Sequence, residues 1–296
     1  SLATDTNSID TRKFDVAWMG SSFDGLVVYL STMSATQPYY RVLDFFQPGP
    51  VFDPTAWGNA LPTGLTQATT TLAWVRLENK PGSDEVVLVY SDVAGKIYGA
   101  VWNGAAWGSA QFLEVADPST STVGTQAFDI AYEQTSGHAM VAWLNKIDSS
   151  PQFRIWNGTS WSADGPTSHN YGPPGTLRWL KLAAKRTSDE LLMAVLDTGD
   201  DGTPDLNAEV WNGSAWGNGI ELETAVSGNG TTRAFDAAYD LVVRRALVAY
   251  GDGTAGTPKY RIWSTSWTSE GGTLALPSAQ DIRWVCNPYR CWWRPN

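Results

Sequence analysis

The stretch Asp197-Thr-Gly-Asp200-Asp201-Gly202-Thr203-Pro-Asp205 has the most specific capacity for chemistry in this 296-residue chain. Carboxylates stand at its first, fifth and ninth positions, with a glycine directly after the fifth. Hard divalent cations collect about six to eight oxygen ligands on flexible loops of this kind. The carboxylates of Asp197, Asp201 and Asp205, with the carbonyl of Thr203, are therefore a candidate calcium set, and calcium is the one cofactor expected. Two departures count against it: Gly199 stands where a further oxygen donor is usual, and no bidentate glutamate follows at the twelfth position.

A second group of charges is periodic. Phe14-Asp15-Val16-Ala17-Trp18, Phe128-Asp129-Ile130-Ala131-Tyr132 and Phe235-Asp236-Ala237-Ala238-Tyr239 alternate along the chain with Trp74-Val75-Arg76-Leu77 and Trp179-Leu180-Lys181-Leu182. Aligned by the apolar run that follows each, Asp15, Arg76, Asp129, Lys181 and Asp236 share one position, and the sign alternates. Opposite charges on neighbouring strands attract in a partly desolvated space, and like charges there repel. The expectation is a structural ring of ion pairs lining a central channel. A glycosidase needs one carboxyl with a raised pKa, and neutralised pairs do not supply it.

Little else points to catalysis. His138 and His169 stand in a turn and in a Pro/Gly-rich loop, and no nucleophile elbow, zinc-binding helix or P-loop motif is present. The Ser-x-Asp-x-Gly-x-Thr-Trp box of sialidases is absent as well. A non-enzymatic protein is expected, with a propeller glycosidase as the alternative.

The elements that must position these groups follow from the tryptophans. Val101-Trp-Asn-Gly-Ala-Ala-Trp107 recurs as Ile155-Trp-Asn-Gly-Thr-Ser-Trp161 and Val210-Trp-Asn-Gly-Ser-Ala-Trp216, and in shortened form as Ile262-Trp-Ser-Thr-Ser-Trp267. With Trp57, the second tryptophans fall 50 to 55 residues apart, a period that marks a repeat architecture. The unit from residue 127 reads as four short strands: AFDIAY, AMVAWLN, QFRIW, and a fourth from Trp161 onward. Asn-Gly supplies the turn chemistry of a tight hairpin. Four antiparallel strands per unit of this length make a propeller blade.

The expected fold is an all-β propeller of six blades, the last one partial and opening at Ile282-Arg283-Trp284-Val285; five blades plus an added strand is the alternative. Residues 1–11 form a polar segment able to complete the last blade, 12–285 the propeller, and 286–296 a Cys/Trp-rich tail. Cys286 and Cys291 are expected to close a small disulfide loop, which suits an extracellular or cell-surface setting.

Composition narrows the partners. A net charge of −10 argues against nucleic acid, whose phosphates need a basic surface. No run of about 18 apolar residues is present, so no membrane-spanning helix is expected. The paired tryptophans serve either as staples packed between blades or as stacking platforms for sugar rings. A strand-accepting sheet edge would also let copies of the chain join head-to-tail into filaments.

The units resemble those of extracellular β-propellers, most nearly the lectin and FG-GAP-like groups, whose short blades carry an aromatic-Asx-Gly-x-x-Trp turn. The resemblance covers residues 12–285. Propeller lectins of the fucose-binding type hold sugar between blades with a recurring Arg, Glu and Trp. Here Trp102, Trp156, Trp211 and Trp263 recur, Arg154 and Arg261 precede two of them, and Glu209 stands near that place in the fourth unit. No unit carries all three in order. The resemblance implies a glycan or surface polymer as partner, with Trp102, Trp156, Trp211, Trp263, Arg154 and Arg261 as ligand contacts.

Overall fold

Apolar runs between Asn-Gly and Gly-rich turns form nineteen strands and no helix among the described residues. The computed structural model describes residues 12–272, apart from 33, 46–56, 116–123, 145–149, 172–177, 199–201, 229, 231 and 254–257. The sixth first strand expected at 282–285, the polar segment 1–11 and the tail with Cys286 and Cys291 all lie outside them.

The strands make five antiparallel sheets in sequence order. The first holds β1 (Phe14–Trp18), β2 (Gly25–Tyr29), β3 (Tyr39–Leu43) and β4 (Leu61–Pro62); the second, β5 (Leu72–Asn79), β6 (Glu85–Asp92), β7 (Lys96–Asn103) and β8 (Trp107–Val115). The third holds β9 (Phe128–Tyr132), β10 (Ala139–Trp143), β11 (Gln152–Trp156) and β12 (Gly165–Pro166). The fourth holds β13 (Trp179–Ala184), β14 (Leu191–Thr198), β15 (Pro204–Trp211) and β16 (Trp216–Glu223), and the fifth β17 (Phe235–Tyr239), β18 (Ala246–Gly251) and β19 (Pro258–Trp263).

Each sheet is a simple meander, as the turn spacing predicts. The fourth strands differ from expectation. They run eight or nine residues in the second and fourth sheets but only two in the first and third, where Pro62 and Pro166 remove the N–H a ladder needs.

The chain divides into two compact units, one made of residues 1–132, 137–141 and 154–164, the other of 133–136, 142–153 and 165–296. Inside the first, Leu26, Val28, Val75, Leu77, Val86, Leu88, Tyr98 and Trp102 form one apolar cluster. Inside the second, Leu191 to Leu196 are wholly buried. Such second strands are covered on both faces, so they read as unbroken apolar runs rather than alternating ones. Each large aliphatic side chain buried this way contributes about 1.5–3 kcal/mol.

The register places the periodic charges at equivalent points: Asp15 opposite Val28, Arg76 opposite Val89, Lys181 opposite Ala194 and Asp236 opposite Ala249. All five charged residues are buried. Arg76 lies between two aspartates, its Nη1 donating to Asp15 Oδ2 at 3.0 Å and its Nε to Asp129 Oδ1 at 2.7 Å. Glu78 takes a third bond, from Nη2, at 2.8 Å. Three carboxylates hold the Arg76 guanidinium well above its ordinary pKa against the penalty of burial. Arg12 approaches Asp15 at 3.4 Å, and Arg233 repeats the contact on Asp236 at 3.9 Å.

Candidate functional site

The turn between third and fourth strands is built the same way each time. Asn103 Oδ1 accepts the amides of Ala105 and Ala106, Asn157 those of Thr159 and Ser160, and Asn212 those of Ser214 and Ala215. The glycine after each asparagine takes a left-handed φ between 95° and 98°. The tryptophans flanking the turn then face each other across the strands, ring centroids 5.5 to 5.7 Å apart. Leu43 and Trp57 make the corresponding bridge in the first sheet.

Trp102, Trp156, Trp211 and Trp263 are only 3–5% exposed. A ring so covered has no open face for a sugar, so these four are staples, and the expectation of a stacking platform is corrected at them. Their partners Trp107, Trp161 and Trp267 are partly exposed, as is Trp57, whereas Trp216, the partner of Trp211, is buried.

Two of those partners make matching contacts with the neighbouring sheet. Trp161 donates its indole N–H to the carbonyl of Ser109 at 2.8 Å, and Trp267 donates to that of Asn218, also at 2.8 Å. Ser109 and Asn218 both take a left-handed φ, 48° and 56°, in strands whose pairing slips at bulges. Trp161 also fills the space where a Cβ on Gly99 would lie, with its ring 3.3 Å from that point. The two-unit alternation was legible in the first strands, but not this contact.

Arg154 and Arg261 stand two residues before their buried tryptophans, on the same sheet face as Trp161 and Trp267, because side chains alternate along a strand. Both guanidinium groups are half-buried, and in each the Nε–H is out of solvent without a hydrogen-bond partner. Arg154 approaches Asp164 at 3.6 Å. Arg261 bears on the phenol of Tyr250, whose pKa is nonetheless pushed up to about 12, chiefly by burial. In the first sheet Arg41 holds the equivalent place, opposite Val27 as Arg261 is opposite Val248, with the same orphaned Nε.

The second and fourth sheets carry Ala100 and Glu209 at that register position. Glu209 is fully buried and accepts bonds from the Ser168 amide (3.0 Å), the Ser168 hydroxyl, the His169 amide (2.9 Å) and the Tyr171 hydroxyl (3.4 Å). It anchors the segment before β13, and it is not brought together with an arginine of orphaned Nε–H and a partly exposed tryptophan.

Asp197 and Asp205 face each other across the base of the β14–β15 hairpin, and Thr203 lies exposed in its turn. Asp201 is outside the described residues. Among the described residues no three His, Cys, Asp or Glu side chains converge as a metal cage.

No family model and no curated protein matches the chain. Solved structures do match. AofleA from Arthrobotrys oligospora, in a triple arginine-to-alanine variant, aligns over 91% of this chain and 75% of its own with TM-score 0.51 and 11% identity. Aleuria aurantia lectin, described as a six-bladed β-propeller with a novel fucose recognition mode, aligns over 92% and 80% with TM-score 0.50 and 11% identity. The fold is a β-propeller. Its five described sheets are blades, and the likeness extends to an enzyme, the intramolecular trans-sialidase from Ruminococcus gnavus, with TM-score 0.52, 9% identity and coverage of 91% and 85%.

Proposed function

We propose that this propeller is a non-enzymatic, extracellular or cell-surface carbohydrate-binding module. Its sugar sites are the sheet faces on which Arg154 stands with Trp161, and Arg261 with Trp267. One observation carries the reading: the same half-buried arginine, with an Nε–H lacking a partner, recurs beside a half-open tryptophan on alternate blades. A buried donor without a partner costs about 1–3 kcal/mol, which a ligand hydroxyl would recover. Guanidinium donors form a planar fork suited to paired oxygens, and the exposed part of the indole offers an apolar surface for the C–H face of a pyranose. Aleuria aurantia lectin, in a mutant form, is in complex with α-methyl-L-fucoside, which makes that sugar the first ligand to try.

Glycan-array screening of the full chain tests the proposal. Binding that is lost in Arg154→Ala/Arg261→Ala supports it. An array without hits, or a variant that binds like the parent, overturns it.

A second reading, a structural subunit joined to further copies of itself, is favoured by β1. Phe14, Val16 and Trp18 are 54%, 46% and 56% exposed, whereas the equivalent Phe128, Ile130 and Tyr132 are 1% exposed. Light scattering at rising concentration tests it: growth in mass supports assembly, and a constant monomer mass rejects it.

A further inference from the structure

We infer that copies of this chain associate head-to-tail, the β17–β18 turn of one copy seated on the open face of β1 in the next. The inference rests on the assembly reading above and names its two surfaces. It comes from comparing how neighbouring blades are joined within the chain.

Two contacts recur at those joints. In one, the last residue of a first strand donates its phenol to a glutamate that opens the preceding blade's second strand: Tyr132 to Glu85 at 3.1 Å, and Tyr239 to Glu190 at 2.8 Å. In the other, amides of a blade's first turn bind an aspartate of the following blade. Ser21 and Ser22 donate to Asp84 Oδ1 at 2.8 and 2.9 Å, and Thr135 and Ser136 donate to Asp189 Oδ1 at 2.8 and 2.9 Å.

The fifth blade departs from this pattern on the side that a following blade would meet. The hairpin-closing bond from Lys80 to the carbonyl of Glu85, and from Lys185 to that of Glu190, runs here from Asp240 to that of Arg245. Arg245 therefore stands in the glutamate's place. The amides of Val242 and Val243 go to Asp240 of their own turn, at 2.8 and 2.6 Å, so the turn needs no neighbouring aspartate. Leu241, Val242 and Val243 are 60%, 83% and 62% exposed. Leu247 is 45% exposed, whereas Leu26, Val87, Met140 and Leu192, at the same place in the other second strands, are wholly buried.

The first blade departs on the side that a preceding blade would meet. Trp18 stands in the place of Tyr132 and Tyr239, at the end of the exposed stripe with Phe14 and Val16. The closing bond there runs from Met19 to Asp24, which puts the exposed Phe23 in the place of Asp84 and Asp189.

These departures match each other. Where internal joints pair a tyrosine with a glutamate, this one pairs the exposed ring of Trp18 with the guanidinium of Arg245, a cation–π contact. Where they set polar turn amides on an aspartate, it sets Leu241, Val242 and Val243 against Phe23, an apolar contact. Exposed apolar surface gathered in this way marks an interaction site. Arg244 and Arg245 also offset the repulsion between copies that each carry a net charge of −10. The two surfaces differ, so the contact is heterologous and each copy can add another.

Light scattering of the full chain over a rising concentration series is the test, with variants on either surface. Val242→Asp charges the turn, and Trp18→Ala clears the receiving ring. Both residues are exposed, so each variant should melt within a few degrees of the parent. The parent should gain mass with concentration, and each variant alone should associate at least about tenfold more weakly. An equimolar mixture of the two should form a pair, because one keeps the turn intact and the other keeps the β1 face. Arg245→Glu should weaken association, and Trp18→Tyr/Arg245→Glu, which installs the tyrosine–glutamate bond of the internal joints, should restore it. Growth in mass that both variants share with the parent would overturn these surfaces and leave assembly standing. A parent monomeric at every concentration would overturn both readings. Should that monomer sediment with phosphatidylcholine vesicles and Val242→Asp abolish it, the turn belongs to a lipid surface and the inference is equally overturned. None of these readouts involves sugar, so the outcome is independent of the carbohydrate reading.

Discussion

Trp161 hands its indole N–H to the main-chain carbonyl of Ser109, and Trp267 repeats that bond on Asn218. The accepting residues are 109 positions apart, as are Trp102 and Trp211, so the working period is two blades. Even blades supply a bulged fourth strand, and odd blades supply the arginine and the half-open tryptophan. Trp161→Phe keeps an aromatic ring smaller than the indole and deletes the donor. It should cost about 0.5–1.5 kcal/mol in urea unfolding, with Ser109→Ala nearly neutral because the acceptor belongs to the main chain.

Arg76 is the most heavily committed charge in the first unit. Arg76→Leu removes the guanidinium that the buried Asp15 and Asp129 share, and about 3–5 kcal/mol of stability should be lost in chemical denaturation. A combined Arg76→Leu/Asp15→Asn/Asp129→Asn variant should recover part of that loss. No recovery would mean that the charges are not coupled.

The hairpin glycines give a conformational prediction. Gly104 has φ +95°, and a Cβ there would stand 3.3 Å from that of Asp84; Gly108 is unobstructed. Gly104→Ala should cost about 1–2 kcal/mol, whereas Gly108→Ala should be neutral or stabilise by up to about 1 kcal/mol. Thermal melts of the two single variants check the contrast.

Asp197 carries a pH dependence. Its carboxyl is raised from 3.8 to about 7 in the folded protein, so between those values the native state binds more protons than the unfolded chain. Stability contributed by the protonated form is therefore present below about pH 4 and declines as pH rises towards 7, by roughly 2–4 kcal/mol across the window. In EDTA, Asp197→Asn should flatten this part of the pH–stability profile. An unchanged profile would assign the slope to another group.

The sequence carried the first three strands of the third blade to within a residue or two, because each apolar run is bounded by turn residues whose conformational demands are local. It also showed the equivalence of Asp15, Arg76, Lys181 and Asp236, since second strands covered on both faces align without ambiguity. The arginine–tryptophan faces were harder to read. Which tryptophan of a pair is covered depends on packing between sheets: Trp156 and Trp161 lie five residues apart in near-identical surroundings, yet only Trp161 keeps an open edge. Glu209 stands near the place of a ligand contact in the sequence, and in the structure Ser168, His169 and Tyr171 occupy its acceptors from a loop about 40 residues upstream. The short fourth strands at Pro62 and Pro166 were legible in principle, because proline removes the ladder donor wherever it falls.

Titration calorimetry of the full chain with α-methyl-fucoside and a small panel of other monosaccharides, each repeated on Arg154→Ala/Arg261→Ala, tests the central claim most directly. Saturable binding of at least one sugar that disappears in the double variant, while Tm stays within a few degrees of the parent, is the predicted result. Sugar binding of equal strength in both proteins, or none to any sugar by the parent, would contradict it.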